Sequence, residues 1–140
     1  MNILITGCAG FIGFNISQYL GKTNNIIGVD NLNSYYSQKL KLDRLKELKK
    51  NKKFKFYKID ISKKKDFEKI FKKQKIHVVI NLAAQAGVRY SIENPDAYTS
   101  SNLIGFSVIL ELSRKYKVNH LLAASTSSVY GYNKKLPFSE

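Results

Sequence analysis

One cysteine, three arginines, ten acidic residues and no long apolar run set the outer bounds on this chain of 140 residues. Cys8 alone excludes a disulfide scaffold, and with His77 and His120 far from it in sequence no zinc set is expected. No apolar stretch approaches the roughly 18 residues that a membrane span needs. The opening Met1-Asn2-Ile3-Leu4-Ile5-Thr6-Gly7 lacks a basic segment and reaches glycine too early for a secretory signal. A soluble, reduced, cytoplasmic protein is expected. What is present, 44% hydrophobic residues with 12% aromatics, excludes global disorder and suits one domain or part of a larger one.

The shortage of acids leaves a formal net charge of +14. Of the 24 basic residues 21 are lysine, and sixteen of those lie between Lys39 and Lys75, offset by five acids. Such a block can serve as a phosphate or nucleic-acid face. Readers of nucleic acid lean on arginine for its bidentate fork, however, and no aromatic stacking set is interleaved here. The reading preferred is a solvated lysine surface that steers anionic ligands, with no nucleic acid as partner.

The apolar runs are short, β-branched and continuous, which suits buried parallel strands. They are Asn2–Thr6, Asn25–Asp30, Phe54–Ile59, His77–Leu82 and Asn119–Ala124. Between them, helical spacing predicts Phe11–Leu20, Lys39–Lys50 with Leu40, Leu42, Leu45 and Leu48, and Lys63–Lys73 with Phe67, Ile70 and Phe71 on one face. Pro95–Tyr116 is predicted as the longest helix, capped by Asn94, with Pro95 in its first turn and Asp96 at its positive end. This alternation predicts an α/β fold, a doubly wound parallel sheet with both faces covered. No linker, low-complexity tract or internal repeat divides it.

The segment Thr6-Gly7-Cys8-Ala9-Gly10-Phe11-Ile12-Gly13 falls where the first strand becomes the first helix. Gly7 permits the tight turn, Gly10 lets the backbone approach a pyrophosphate, and Gly13 lets helix and strand close on each other. The helix start then offers free N–H groups and a positive dipole end to phosphates. Asp30 closes the second strand, where a carboxylate can accept both adenosine ribose hydroxyls and would repel a 2′-phosphate, favouring NAD over NADP. Cys8 has no accompanying base and is read as a small residue tolerated beside the phosphates rather than a nucleophile. Asp60-Ile61 ends the third strand and fits either the adenine side of the site or a cap for the next helix. Leu82-Ala83-Ala84 ends the fourth strand in small residues, which suits close packing of the nicotinamide ribose and equally plain helix–sheet packing.

The glycine loop, Asp30, Leu82-Ala83-Ala84 and Ser127-Ser128-Val129-Tyr130-Gly131 resemble the extended short-chain dehydrogenase/reductase family, the NAD-dependent epimerases and dehydratases of nucleotide sugars, with their Rossmann-like fold. Three longer stretches, Asp30-Asn31-Leu32-Asn33-Ser34-Tyr35-Tyr36, Leu82 through Pro95, and Ala124 through Gly131, look like its UDP-glucuronate 4-epimerase branch. The resemblance implies NAD as cofactor, held by Gly7, Gly10, Phe11, Ile12, Gly13, Asp30, Asn31, Asp60, Ile61, Leu82, Ala83, Ala84 and Asn102. It implies a nucleotide sugar, UDP-glucuronate, as substrate, met by Gln85, Arg89, Ser127 and Ser128. In that family NAD+ takes a hydride from C4 of the sugar, a tyrosine accepts the 4-OH proton, and the hydride returns to the other face of a 4-keto intermediate. Thr126 matches the family's catalytic hydroxyl after the fifth strand, its alternative being a cap for the backbone there.

Tyr130-Gly131-Tyr132-Asn133-Lys134 spells Tyr-x-x-x-Lys, but its glycine and asparagine predict a loop, in which residues four apart share no face. By the resemblance, the working tyrosine and lysine would fall after Glu140. The chain is therefore expected to be the NAD-binding N-terminal half of a longer enzyme, truncated after the fifth strand and inactive alone, its Leu121-Leu122-Ala123-Ala124 segment an exposed apolar edge. Homodimerisation is expected of the full-length form, through the helix Pro95–Tyr116. Where related dehydratases carry Asp-Glu, this chain has Ser127-Ser128, and hydroxyls cannot perform the proton transfers of an elimination. Epimerisation is the expected reaction. A dehydratase or decarboxylase, or a non-catalytic dinucleotide-binding module, is the alternative.

Overall fold

Five parallel strands form one sheet in a computed structural model that describes residues 1–139. They are β1 (Asn2–Thr6), β2 (Asn25–Asp30), β3 (Phe54–Lys58), β4 (Val78–Asn81) and β5 (His120–Ala123), in the order β3-β2-β1-β4-β5. The first two match the expected ranges, and the other three are one or two residues shorter. Pairing is in register from Ile3 opposite Ile26 on one side of β1 and Val78 on the other.

Alternation along β1 explains why both faces need cover. Leu4 points to a core shared with Ile27, Val29 and Val79, closed by Phe67, Ile70 and Phe71 of α3 (Lys64–Lys73) and Ile109 and Leu112 of α6 (Phe106–Lys115). Ile3 and Ile5 point the other way, to a second core with Ile26 and Phe54, closed by α1 (Phe11–Leu20) and by Leu45 and Leu48 of α2 (Gln38–Leu48). Helices on both faces make the sheet doubly wound, as expected. On α2 only part of the leucine set turns inward: Leu40 and Leu42 are exposed, and Lys41 takes the buried place one turn before Leu45.

The predicted long helix is not a uniform α-helix. Asn94 caps α5 (Pro95–Tyr98), accepting from the Ala97 N–H at 3.3 Å, with Pro95 in the first turn as expected. Residues Thr99–Gly105 then widen into a π-helical turn before α6 resumes the α pitch. The register change has a tertiary cause: it brings Gly105 against Ile61, where a Cβ would meet the isoleucine side chain at 2.6 Å, and turns Asn102 toward the end of β4. Two short elements escaped the sequence reading, α4 (Val88–Glu93) and a 3₁₀ turn at Ser127–Tyr130. Gly131 follows that turn at φ +59°, so Tyr130 and Lys134 share no helix, as anticipated. β5 pairs with β4, and Leu122 is 46% exposed at the edge, the apolar margin expected there.

Candidate functional site

In a sheet ordered β3-β2-β1-β4-β5 the chain leaves β1 to one side and returns at β4 to the other, opening a crevice at the carboxyl ends of those strands. The glycine loop occupies it. Gly7 leaves β1 at φ +68°, and a Cβ there would lie 2.9 Å from the backbone of Leu82 and Ala83. Gly13 sits directly over Gly7, where a Cβ would run into the Gly7 carbonyl. The two glycines therefore let β1, α1 and the end of β4 meet backbone to backbone. Gly10 caps α1 without a side-chain hydrogen bond, and the first turn holds no acid, so the positive end of the helix is uncompensated. Phe11 and Ile12 turn their side chains outward, at 71% and 59% exposure. Whatever they offer to the cleft comes from their backbone.

Thr6, which the sequence reading passed over, anchors this junction. Its hydroxyl, on a fully buried side chain, donates to Asn81 Oδ1 at 2.6 Å and accepts from the N–H groups of the half-buried Leu82 at 3.2 Å and Ala83 at 3.1 Å. Thr6→Val, equal in shape, strips the Ala83 amide and the Asn81 oxygen of their partner. We expect a loss of about 2–3 kcal/mol in unfolding free energy, measured by urea denaturation, with Thr6→Ser largely retaining it.

Asp30 is 8% exposed at the end of β2. Its Oδ2 accepts from the Ala9 N–H at 3.1 Å and its Oδ1 from the Leu32 N–H at 2.9 Å. The carboxylate thus ties the glycine loop to the loop after β2, with acceptor capacity left on each oxygen. Asp60 does not cap α3, whose N-cap is Lys63 with no side-chain bond, but closes a turn ahead of it and reaches across the cleft: Oδ1 accepts from the Ser62 N–H and hydroxyl, and Oδ2 from Asn31 Nδ2 at 3.1 Å. Burial opposes its ionised form, but the hydrogen bonds from Ser62 and Asn31 and the charge of Lys63 outweigh it and hold the carboxyl below the usual range.

Gly7, Gly10, Asp30, Asn31, Asp60, Ile61, Leu82, Ala83, Ala84 and Gln85 all line this one cleft. Gln85 is held at its backbone by Asn102, which accepts from the Gln85 N–H at 2.8 Å and donates to its carbonyl at 3.0 Å. Asn102 therefore works on the loop after β4, not on its own helix. Arg89, Thr126, Ser127 and Ser128 do not line the cleft. Arg89 is exposed on α4, and Thr126 caps the turn after β5, accepting from the Ser128 N–H at 3.2 Å.

Cys8 departs from its expected place. Its side chain is fully buried in the second core, against Gly28 and not beside the cleft, and burial, with the charge of Asp30, pushes the thiol far above the ordinary range. It is inert packing. Lys41, missed in the sequence, has 3% exposure, with Nζ donating to Asn33 O at 2.9 Å and Asn33 Oδ1 at 2.7 Å beneath the Tyr36 ring. Burial lowers its pKa, with the Asp30 charge opposing. The signal was available: Lys41 stands at helical spacing from Leu45 and Leu48. Arg44, one turn on, donates to the Ala9 carbonyl at 3.1 Å, tying α2 to the glycine loop.

Residues 4–140 match the GDP-mannose 4,6-dehydratase family. The chain belongs to that family. It is thereby one of the extended short-chain dehydrogenases/reductases. Among its relatives, Protein CapI of Staphylococcus aureus is 52% identical over 140 residues, which is 99% of this chain and 42% of that protein. A UDP-glucuronate 4-epimerase of Thermodesulfobacterium geofontis is 48% identical over 138 residues, 98% of this chain and 42% of that protein. The crystal structure of UDP-glucuronic acid 4-epimerase from Bacillus cereus, in complex with UDP-glucuronic acid and NAD, superposes with a TM-score of 0.87 at 34% identity, over 96% of this chain and 43% of that one. The chain spans about 42% of the length of these curated relatives.

Proposed function

We propose that this chain binds NAD and forms the cofactor-binding part of a nucleotide-sugar epimerase that converts UDP-glucuronate to UDP-galacturonate. The observation that carries the reading is the pairing, within one crevice, of the positive end of α1, which no side chain caps, with the Asp30 carboxylate at the end of β2. Those residues fit the cofactor. Gly7, Gly10 and the first amides of α1 take the diphosphate, Asp30 the adenosine ribose hydroxyls, and Asn31, Asp60 and Ile61 the adenine edge. Leu82, Ala83 and Ala84 face the nicotinamide half, with Asn102 fixing the loop beside it. Bound NAD+ supplies a hydride acceptor that returns the hydride in the second half of a redox-neutral cycle.

The chain's own groups then orient the sugar. Thr126 holds the reacting hydroxyl, Ser127 and Ser128 hydrogen-bond the C6 carboxylate, and Gln85 and Arg89 flank the substrate. What supports this role for the three hydroxyl residues is that they follow β5, the strand beside β4. The family's name suggests a second reaction, dehydration, but Ser127 and Ser128 supply neither the acid nor the base that an elimination requires. The working tyrosine and lysine are assigned to chain beyond Glu140, and a dimer of the longer form is assigned to the helix surface where Leu103 and Ile104 are exposed. Among the described residues no helix is long and apolar enough to cross a membrane. We place the protein in the cytoplasm, with the nucleotide sugars it would bind.

Titration calorimetry on the folded 140-residue chain tests the cofactor half of this reading, with saturable NAD+ heat expected. Incubation with NAD+ and UDP-glucuronate tests the rest, and no UDP-galacturonate is expected from these residues alone. Absence of heat would remove the cofactor reading, and product formation would show that the working base lies within the chain.

A further inference from the structure

The loops that follow β2 and β4 meet through aromatic rings. Tyr35, after β2, lies 4.9 Å centroid to centroid from Tyr90 of α4, and Tyr90 lies 6.3 Å from Tyr98 of α5. The Tyr98 hydroxyl donates to the Ala86 carbonyl at 2.7 Å and also engages the Gly87 carbonyl. Partial burial, reinforced by Tyr35 and Tyr90, raises the Tyr98 pKa, so that hydroxyl stays a donor at neutral pH. Gly87 has φ +97°, and a Cβ on it would strike the Tyr35 hydroxyl. Asn94, the cap of α5, donates to the Tyr90 hydroxyl at 3.0 Å. Tyr98 and Asn94 therefore set the Tyr90 ring on which Tyr35 rests.

The position of this contact gives it a consequence. β1 lies between β2 and β4, so a bridge from the β2 loop to the β4 loop passes over the exit of β1, where the glycine loop opens. Tyr35 and Gln85 line the same cleft as Gly7, Asp30 and Ala83. The base of the β2 loop is pinned, with Asn33 on Lys41 Nζ and the Leu32 carbonyl accepting from Gln38 Nε2 at 2.8 Å. Its tip is joined to the far side through Tyr35, which is itself 44% exposed. A fixed base with a tip held by a ring contact is a hinged strap.

We propose that the Tyr35–Tyr90 contact is a clasp that closes over the dinucleotide and sets the residence time of the cofactor. A dinucleotide laid from Asp30 across the glycine loop to Ala83 lies beneath it and leaves only when the rings part. The proposal rests on the NAD reading above and makes Tyr35 a positioning residue, not a catalytic one.

The test is the rate at which NAD+ leaves the loaded 140-residue chain when chased with excess NADH, followed by nucleotide fluorescence. Tyr35→Ala and Tyr90→Ala are expected to release NAD+ about tenfold faster. The double variant should release it no faster than either single one, since both remove one contact. Tyr35→Phe, which keeps the ring, and Tyr19→Ala, on the far part of α1, should release it at the unmodified rate. Single variants that match the unmodified rate, or a double variant whose effect is the product of the singles, would overturn the clasp. If the unmodified chain takes up no NAD+, the functional reading fails and the clasp is judged by amide hydrogen exchange. Tyr35→Ala should then lose protection in 85–88 as well as 32–37, and unchanged protection in 85–88 would overturn it.

Discussion

Gly13→Val is expected to lower the unfolding midpoint of this protein by about 10 °C and its unfolding free energy by about 3–4 kcal/mol. The atoms that a Cβ at position 13 would meet are the Gly7 carbonyl and the Cys8 Cα, all main chain. A side chain can rotate away from a clash, but here α1 itself must lift from the end of β1. Lifting α1 also disturbs Cys8 and Ala9, which are fully buried in the core between the sheet and the α1–α2 layer. Gly10→Ala is the informative companion. Its Cβ approaches only the Gly7 carbonyl, at 3.1 Å, so the fold should persist while the added methyl stands where a phosphate would come. Thermal unfolding followed by circular dichroism separates the two: a Gly13→Val midpoint within a degree or two of the parent would show that the loop is not packed as described.

This contrast shows what kind of information the sequence carried. The strands and the glycine loop were legible because their causes are local: short aliphatic or aromatic runs of four to six residues, glycines at fixed spacing, Asn94-Pro95 at a helix start. Asp30 was legible because strand end and carboxylate coincide. The junction at Thr6 was not, since its partners Asn81, Leu82 and Ala83 lie 75 to 77 residues away and nothing near Thr6 marks it. The π-helical turn is of the same kind. Residues Thr99–Gly105 include weak helix formers, Ser100, Ser101, Asn102 and Gly105, but these do not specify a wider turn, and the register change answers to Ile61 and Gln85, both distant in sequence. Lys41 lay between these cases, a charge at a core-spaced position on an otherwise ordinary amphipathic helix. Cys8 was misplaced for a related reason. Its loop position suggested the ligand side, whereas the missing side chain of Gly28, on the neighbouring strand, makes the room that its sulfur fills.

The long-range contacts converge on the carboxyl ends of β1, β2 and β4. Thr6 binds the β4 exit to β1, Asp30 binds the glycine loop to the β2 exit, Asn102 holds the β4 loop, and Arg44 returns α2 to the glycine loop. Each spends a polar group on holding backbone still around the crevice. A site that must hold a flexible dinucleotide gains affinity from such prior ordering, because less freedom is lost on binding.

Asp30 tests that idea most severely, because one side chain orders the crevice and, on the proposed reading, would also meet the ligand. Asp30→Asn conserves shape, yet the amide can accept from only one of the Ala9 and Leu32 N–H groups and must turn its own NH2 toward the other. It also removes the charge that would accept the ribose hydroxyls. Two charge-assisted hydrogen bonds, at about 1.5–3 kcal/mol each and partly compensated by the amide, correspond to a loss of about 100-fold in NAD+ affinity. Removing the negative charge simultaneously relieves repulsion of a 2′-phosphate, so NADP+ affinity should fall by much less and the preference for NAD+ should narrow. Calorimetric titration of both nucleotides, well below the midpoint of the variant, reads the two effects separately. An Asp30→Asn protein that is folded and binds NAD+ as tightly as the parent would remove Asp30 from the site and, with it, the crevice as the place where the cofactor lies.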